Sequence, residues 1–186
     1  MKEKPEPDWA IKLQFFIHDN RLRQFLIDPY KVLRAIGVKP GQVVLDLGCG
    51  PGFFTIPAGK IVGEKGLVYA LDLHPLALER VSEKAQKFGL KNIQPILARA
   101  DQTSLPDQSI DLAFLFGMVH KLDDYFYEVM KELSRLLKPS AILAIEKSPS
   151  VRKNQLLKSL KKYGFELENS WKGIFILVNF TPFLRK

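Results

Sequence analysis

Residues 43–54 read VVLDLGCGPGFF, and the fold class follows from this stretch. The apolar run from Val43 to Leu47 is typical of a buried strand. Glycines at positions 48, 50 and 52 follow it, and a helical pattern begins near Phe53. Glycine permits tight turns and lets a ligand lie against the backbone, while the first N–H groups of a helix are unpaired and favour a negative group. The stretch therefore predicts a strand, a ligand-binding loop and a helix.

Asp46 is the only acidic residue of this strand. A carboxylate among valines and leucines is costly unless it is hydrogen-bonded, so its presence favours a role at the loop. The dinucleotide fingerprint G-x-G-x-x-G does not match, because the glycines here follow the spacing G-x-G-x-G and Phe53 occupies the place of the third glycine. A glycine-rich turn without a ligand is the alternative, but it gives no reason for Asp46.

Asp72 comes directly after a second apolar run, Leu67 to Leu71. It stands roughly 20–25 residues past the glycine loop, which is close to the spacing of an acid that binds a ribose diol. A carboxylate can accept hydrogen bonds from both hydroxyl groups at once. The alternative is a helix N-cap before Pro75. The loop and Asp72 together favour the binding of a nucleoside.

The length of 186 residues fits one domain with a sizeable core. No run approaches the roughly 20 apolar residues of a membrane span, and the charged start, Met1 to Asp8, lacks the apolar segment of a secretory signal. The single cysteine, Cys49, excludes an internal disulfide and Cys-rich zinc sites, and no metal site is expected. We therefore expect a cytoplasmic protein.

The net charge is +8, and much of the excess lies after residue 146, where only Glu166 and Glu168 oppose the lysines and arginines. A basic face can attract nucleic acid or an anionic membrane surface. The simpler interpretation is a solvated lysine face, because aromatic residues are not interleaved with the lysines as they are in single-strand binders. Charge alone leaves both interpretations open.

Apolar runs and helical patterns alternate along the chain. The expected strands cover residues 43–47, 67–71, 93–97, 110–116, 141–145, 165–168 and 174–180. The expected helices cover residues 53–61, 75–88, 122–138 and 151–163, with Phe88 and Leu137 among their buried residues. This alternation predicts an α/β sandwich of three layers around a mostly parallel sheet. The last two strands are joined too closely for a parallel crossover, so they should pair antiparallel.

The N-terminal segment, residues 1–36, carries helical signals from residue 9 onward, and Asp28-Pro29 should start a short helix. We expect one or two helices there, followed by a single domain over residues 37–186. The segment is either a lid over the ligand site or a helix that covers one face of the sheet.

The run from Asp46 to Gly52 resembles motif I, D-x-G-x-G-x-G, of the class I S-adenosylmethionine-dependent methyltransferases. The stretches VYALDLHP and RLLKP extend the resemblance over about residues 35–180, and it is nearest to the ubiquinone/menaquinone-biosynthesis-like, small-molecule branch. It implies a Rossmann-like sheet of seven strands whose last strand is antiparallel. One departure is visible: the family usually has Gly-Gly after Lys-Pro, where this chain has Ser140-Ala141, so that turn should take another geometry.

The resemblance also implies a set of cofactor-binding residues for S-adenosylmethionine and its product, S-adenosylhomocysteine. The glycine loop would hold the amino-acid end of the cofactor, and Asp101, after the third strand, would accept from the adenine amino group. The full expected set is Asp46, Gly48, Cys49, Gly50, Gly52, Asp72, Leu73, Asp101, Gln102 and Phe116. Within this set Cys49 is expected to be a small filler rather than a nucleophile.

Methyl transfer is an in-line displacement in which the protein mainly aligns the reactants. A general base is needed only for an acceptor that carries a proton of high pKa. His120, after the fourth strand, is the first candidate base and His18 the second, with a structural role as the alternative for both.

The fourth strand ends in FGMV rather than in the Asn/Asp-Pro-Pro-Tyr/Phe motif of enzymes that methylate amino groups of nucleic acids. We therefore expect a small, partly apolar acceptor. The alternatives are an RNA or protein methyltransferase that uses the basic C-terminal face and a cofactor-binding module without activity. The sequence does not indicate the oligomeric state.

Overall fold

The computed structural model of the chain describes residues 27–117, 125–146 and 153–179. Its helices are α1 (Pro29–Ala35), α2 (Thr55–Val62), α3 (Pro75–Lys87), α4 (Phe126–Leu136) and α5 (Lys153–Lys161). Its strands are β1 (Val43–Leu47), β2 (Leu67–Asp72), β3 (Ile93–Leu97), β4 (Ile110–Leu115), β5 (Leu137–Glu146), β6 (Phe165–Trp171) and β7 (Ile174–Asn179). None of the helices in these ranges has the length and apolarity that crossing a membrane would require.

The strands form one seven-stranded sheet in the order β3-β2-β1-β4-β5-β7-β6. Neighbouring strands from β3 to β5 are parallel, and β7 runs antiparallel to both β5 and β6. The chain first moves outward from β1 to β3 and then returns to place β4 on the other side of β1. A crevice therefore forms at the carboxyl ends of β1 and β4, which is where doubly wound sheets bind ligands. The predicted sheet and its reversed last strand are confirmed.

Two apolar layers cover the sheet, as the alternating side chains of its strands require. On one face, Leu45 and Leu47 of β1 belong to the cluster that contains Met130 and Leu133 of α4 and Leu160 of α5. On the other face, the clusters contain residues of α1, α2 and α3 packed against Val44, Val68 and Ala70. The fold is the expected three-layer sandwich.

The start of α1 agrees with the sequence. Asp28 is its N-cap, with a side-chain oxygen that accepts from the N–H groups of Tyr30 and Lys31 at 3.0 and 3.2 Å, and Pro29 is the first helical residue. The rest of the predicted N-terminal segment, residues 1–26, lies outside the described ranges. The division of the chain at residue 36 and the lid hypothesis stay predictions.

The predicted burial of Phe88 was wrong, and Leu137 belongs to a different element from the one predicted. Phe88 is 49% exposed, because α3 ends at Lys87 and Phe88 is its C-cap, beyond the helical repeat that buries Val81 and Ala85. Its ring instead lies 4.0 Å from the ammonium group of Lys60. Leu137 is buried as expected, but it opens β5 rather than closing α4, which ends at Leu136.

The turn at Ser140 has an unusual backbone conformation for serine. Ser140 has φ +64°, in the left-handed region that favours glycine. The chain therefore takes a conformation that suits glycine although the residue is serine. The expected difference from the family's turn geometry stays a prediction. The turn lies in an irregular part of β5, where the register with β4 shifts between Ile110 and Leu112.

Candidate functional site

The glycine loop connects β1 to α2 at the carboxyl edge of the sheet. Gly48, Gly50 and Gly52 have φ values of +76°, +50° and +84°, which explains why glycine occupies all three positions. The N–H groups of Gly48 and Cys49 both donate to the carbonyl of Leu71, at 2.8 and 3.0 Å. These bonds attach the start of the loop to the end of β2.

The far end of the loop packs against α3. The ammonium group of Lys84 donates to the Pro51 carbonyl at 2.7 Å. A methyl group at Gly52 would lie 3.1 Å from a methyl group of Val81, so a larger residue would be strained by contact as well as by φ. At Gly50, in contrast, an added methyl group would meet no atom within 4 Å. The loop thus has a packed side at Gly52 and an open side at Gly50.

Asp46 is buried, with 4% of its surface exposed. One of its oxygens accepts a 2.6 Å hydrogen bond from the hydroxyl of Thr55, in the first turn of α2. Burial raises the pKa of Asp46 to about 7; the Thr55 bond opposes this rise and the negative charge of Asp72 adds to it. Asp46 therefore does not reach the surface of the crevice, and it connects β1 to α2 beneath the loop.

Cys49 is 7% exposed. Its pKa is raised far above the ordinary thiol value, first by burial and then by the charges of Asp46 and Asp72. A thiol in these surroundings stays protonated, so it is a poor nucleophile. The geometry agrees with the expected role as a small filler.

Asp72 ends β2 and uses both carboxylate oxygens locally. Oδ2 accepts from the N–H of Gly50 at 2.9 Å, and Oδ1 accepts from the N–H of His74 at 2.9 Å. The N-cap of α3 is His74 rather than Asp72. A carboxylate oxygen has two lone pairs, so each retains capacity for a further donor such as a hydroxyl group.

Beyond β3, Asp101 forms a bidentate pair with Arg99. The two N···O distances are 2.9 and 3.1 Å, and the Asp101 side chain is 13% exposed. The guanidinium of Arg99 also lies 4.6 Å from the ring centre of Tyr125. Gln102 is exposed next to this pair. The structure thus gives Asp101 a fixed orientation that the sequence did not predict.

The segment after Gln102 is attached to α4. Glu132 accepts from the N–H and the hydroxyl of Thr103, at 3.0 and 2.7 Å, and it pairs with Arg135. Arg135 also donates to the Leu105 carbonyl at 2.8 Å and to Asp107 at 2.6 Å. Burial acts to raise the pKa of Glu132, but the bonds from Arg135 and Thr103 outweigh it, and the pKa is lowered.

Phe116 follows β4 on the other side of the crevice. Its ring stacks on Phe114 at 5.0 Å and meets Phe54 edge-on at 4.9 Å. Phe54 directly precedes α2, so this aromatic cluster joins the end of the glycine loop to the end of β4. The carboxyl edge of the sheet therefore carries a polar half, around Asp72, and an aromatic half, around Phe116.

Comparison with known proteins agrees with this geometry. The family model of a methyltransferase domain matches residues 38–185. The crystal structure of an S-adenosylmethionine-dependent methyltransferase from Aquifex aeolicus is 31% identical, covers 92% of this chain and 97% of its own, and superposes with a TM-score of 0.76. The chain belongs to the class I S-adenosylmethionine-dependent methyltransferases.

Two further relatives help to define the similarity. A demethylmenaquinone methyltransferase from Bacillus mycoides (strain KBAB4) is 31% identical over 119 residues, which are 63% of this chain and 50% of that protein. The chain thus spans about half the length of the curated relatives that it matches. A candidate S-adenosylmethionine-dependent methyltransferase from Methanococcus maripaludis is 17% identical and has a TM-score of 0.76 over 98% of both chains, which shows a shared fold.

These comparisons confirm the expected family, enzyme class and cofactor class: the chain carries a methyltransferase domain of the S-adenosylmethionine-dependent class. At the carboxyl edge of the sheet, the structure brings together Asp46, the loop glycines, Cys49 and Asp72, while Asp101 is paired with Arg99. Leu73, next to Asp72, is 57% exposed. The two candidate bases, His120 and His18, lie outside the described residues, so their roles stay predictions.

The sequence did not predict four side chains that hold the candidate site in place, namely Thr55, Lys84, Arg99 and Glu146. The first three bond to Asp46, to the Pro51 carbonyl and to Asp101, as given above. Glu146 ends β5 and accepts from the N–H of Gly117. Of these four, only Glu146 could have been predicted from the sequence, because it is an acidic residue at the end of an apolar strand, as Asp72 is.

Proposed function

We propose that this protein transfers a methyl group from S-adenosylmethionine to a small, partly apolar acceptor of the quinone class. The support is the named activity of the curated relatives, which methylate demethylmenaquinone and are 31% and 29% identical over 119 residues. Because these relatives are about twice as long as the matched region, both the whole activity and the acceptor are proposals for this chain.

The residues present fit S-adenosylmethionine. The N–H of Gly50 donates to the Asp72 carboxylate, so the loop backbone lies beside a negative charge. A Cβ atom at Gly50 would have no neighbouring atom within 4 Å, so a ligand has space there. We propose that Asp72 accepts from the ribose hydroxyl groups and that Gly48, Cys49, Gly50 and Gly52 line the amino-acid end. Asp46 supports this loop from beneath through Thr55.

We propose that the adenine end lies between β2 and β3. Leu73 offers an exposed apolar side chain there, and Asp101 offers a carboxylate whose orientation Arg99 fixes. Gln102, directly after Asp101, is exposed and can contribute polar groups. Adenine has an apolar face and a polar edge, so this combination suits it.

S-adenosylmethionine supplies a methyl group on a positively charged sulfur, which is transferred by in-line displacement. The protein contributes alignment, and we propose that Phe116, with Phe54 and Phe114 behind it, presents an apolar wall to the acceptor. A phenolic or reduced quinone must also lose a proton. His120, and after it His18, remain the proposed bases.

We also propose a cytoplasmic location, which is supported by the single, buried cysteine. The net charge of +8 leaves nucleic acid as a conceivable partner. No described contact distinguishes the basic face from an ordinary solvated surface, so RNA methylation enters only as an outcome of the test.

The observation that carries the cofactor part of the proposal is the Asp72–Gly50 hydrogen bond at the switch point of the sheet, within a methyltransferase family. The acceptor part rests on the named activity of the curated relatives. The test incubates the purified protein with S-adenosylmethionine labelled in the methyl group and a short-chain demethylmenaquinone, in oxidised and in dithionite-reduced form. We expect label in the reduced quinone, identified by mass spectrometry. Label in bulk RNA but not in the quinone would contradict the proposal, and so would cofactor binding without transfer to either.

A further inference from the structure

The residue that ends β5 binds the backbone of the segment that follows β4. The segment that follows a strand at the carboxyl edge of the sheet is here called the exit of that strand. The last residue pair of the β4–β5 ladder is Leu115 with Ile145. Two residues beyond Leu115, the N–H of Gly117 donates at 2.8 Å to a carboxylate oxygen of Glu146. Gly117 has φ +71°, so the chain turns there in a conformation that favours glycine. A side chain thus continues the connection between the strands after their backbone pairing has ended.

The same arrangement occurs on the other side of the switch point. There, the carboxylate that ends β2, Asp72, accepts at 2.9 Å from the N–H of Gly50, a left-handed glycine in the loop that leaves β1. In the sheet order, β2 and β5 flank the central pair β1 and β4. Each central strand therefore leaves the sheet through a left-handed glycine that is held by the carboxylate of its outer neighbour.

The two exits belong to different halves of the site. The β1 exit is the glycine loop, where we propose that the amino-acid end of the cofactor binds. The β4 exit carries Phe116, directly before Gly117, and this ring is fixed on its other side by Phe114 and Phe54. Glu146 consequently fixes the backbone next to the aromatic wall, at a place where the paired strands no longer do so.

We propose that Glu146 is a positioning residue for the acceptor half of the site: its carboxylate holds the Gly117 N–H and thereby sets where Phe116 meets the acceptor. The inference rests on the proposed function, in which the aromatic half of the crevice contacts the methyl acceptor. Glu146 acts on the acceptor through Gly117, so it serves as a hydrogen-bond acceptor and its negative charge is not required.

Two substitutions separate this role from proton transfer. Glu146→Ala removes the oxygen that Gly117 uses, whereas Glu146→Gln retains an amide oxygen that can accept the same N–H but cannot act as a base. Glu168→Ala is the matched control, because Glu168 is an exposed glutamate on β6 and its loss changes the net charge equally. Three readouts are compared: amide exchange of Gly117 by NMR, the Kd for S-adenosylhomocysteine, and kcat and KM for the reduced quinone.

For Glu146→Ala we expect Gly117 exchange to be faster and kcat/KM for the quinone to be lower, each by up to about tenfold, as the loss of one hydrogen bond implies. The Kd for S-adenosylhomocysteine should stay within about twofold, because β4 lies between β5 and the strand that carries the glycine loop. This expectation also requires that Phe116 faces the acceptor, as proposed above, and does not bind the cofactor as the family resemblance implied. Glu146→Gln and Glu168→Ala should resemble the wild type in all three readouts.

The proposal is overturned if Glu146→Ala leaves Gly117 exchange or kcat/KM unchanged. It is also overturned if Glu146→Gln is as inactive as Glu146→Ala, because the carboxylate would then act as a base or a charge. A wild-type protein that does not methylate the quinone would refute the proposed function instead. In that case, the Gly117 exchange rates of the variants still decide whether Glu146 holds the exit of β4.

Discussion

The hydroxyl of Thr55 donates a 2.6 Å hydrogen bond to the buried carboxylate of Asp46. The bond joins the penultimate residue of β1 to the first residue of α2. The two ends of the glycine loop are therefore connected beneath it. Asp46 is 4% exposed and Thr55 is fully buried, which removes competing water. The acid of the D-x-G-x-G-x-G motif in this chain therefore shapes the loop from within.

Replacing Thr55 tests this connection. Thr55→Val keeps the shape of the side chain but leaves the Asp46 carboxylate without its donor, and we expect a loss of about 2 kcal/mol in the free energy of unfolding. Thr55→Ser retains the hydroxyl and should lose about 1 kcal/mol or less, for one buried methyl group. Urea denaturation of the three proteins at neutral pH measures the difference. Equal losses in both variants would contradict the assigned role.

The raised pKa of Asp46 predicts a pH dependence of stability. Because the pKa rises from 3.8 when unfolded to about 7 when folded, the folded state binds the proton more tightly, and stability falls as the pH rises through this interval. Relative to Asp46→Asn, which does not titrate, the wild type should lose about 3 kcal/mol between about pH 4.5 and 7.5.

Urea unfolding of the wild type and of Asp46→Asn at several pH values provides the measurement. The difference between the two proteins is the relevant quantity, since other groups titrate equally in both. A difference that stays constant across the interval would show that Asp46 is ionised at its ordinary pKa in the folded protein.

The sequence predicted the elements that local pattern determines. The bounds of β1 and β3 agree with the apolar runs that define them, and Asp72 closes β2 at the predicted edge. Local pattern failed where an element ends without a strong signal. Phe88 fits the helical repeat of α3 but lies just past its end, and Leu137 continues the pattern of α4 although the chain already turns into β5.

The contacts that fix the site could not be predicted, because they join residues far apart in sequence. Gly117 and Glu146 are 29 residues apart, and so are Thr103 and Glu132. The sequence shows that these residues can donate or accept a hydrogen bond, but which partner each one reaches depends on the order of the strands in the sheet. The Arg99–Asp101 pair is a different case: the two residues are close in sequence, but such a pair has no recognised sequence pattern.

The network around Arg135 should stabilise the segment that follows Gln102. Arg135→Met leaves Glu132 desolvated without its main partner, and we expect a loss of about 2 kcal/mol. Arg80→Met is the control: Arg80 pairs with Glu83, but both side chains are more than half exposed, so its loss should be about 0.5 kcal/mol or less.

Thermal and urea unfolding at neutral pH compare these two variants with the wild type. Because the pKa of Glu132 is lowered, its contribution is present at neutral pH and is lost as the pH falls through that lowered value. The cost of Arg135→Met should therefore shrink on acidification. A cost equal to that of Arg80→Met would mean that the network is no stronger than a surface ion pair.

Ser140 offers a stabilising substitution. Its φ of +64° is costly for a residue with a side chain, so Ser140→Gly should raise the free energy of unfolding by about 0.5–1 kcal/mol. Ser82→Gly, in the interior of α3, should instead lower it by about 0.5 kcal/mol, because glycine is a poor helix former. Melting temperatures that move in opposite directions support this account, whereas a decrease for Ser140→Gly contradicts it.

The central claim is that the carboxyl edge of β1 and β2 binds S-adenosylmethionine through the glycine loop and Asp72. The most direct measurement is isothermal titration calorimetry of S-adenosylhomocysteine into the wild type, Asp72→Ala and Glu64→Ala, an exposed control in the turn before β2, with circular dichroism to verify folding. The account predicts one site in the wild type and in Glu64→Ala, and about tenfold or greater loss of affinity in folded Asp72→Ala. Absence of binding heat in the wild type, or equal affinities in all three proteins, would contradict it.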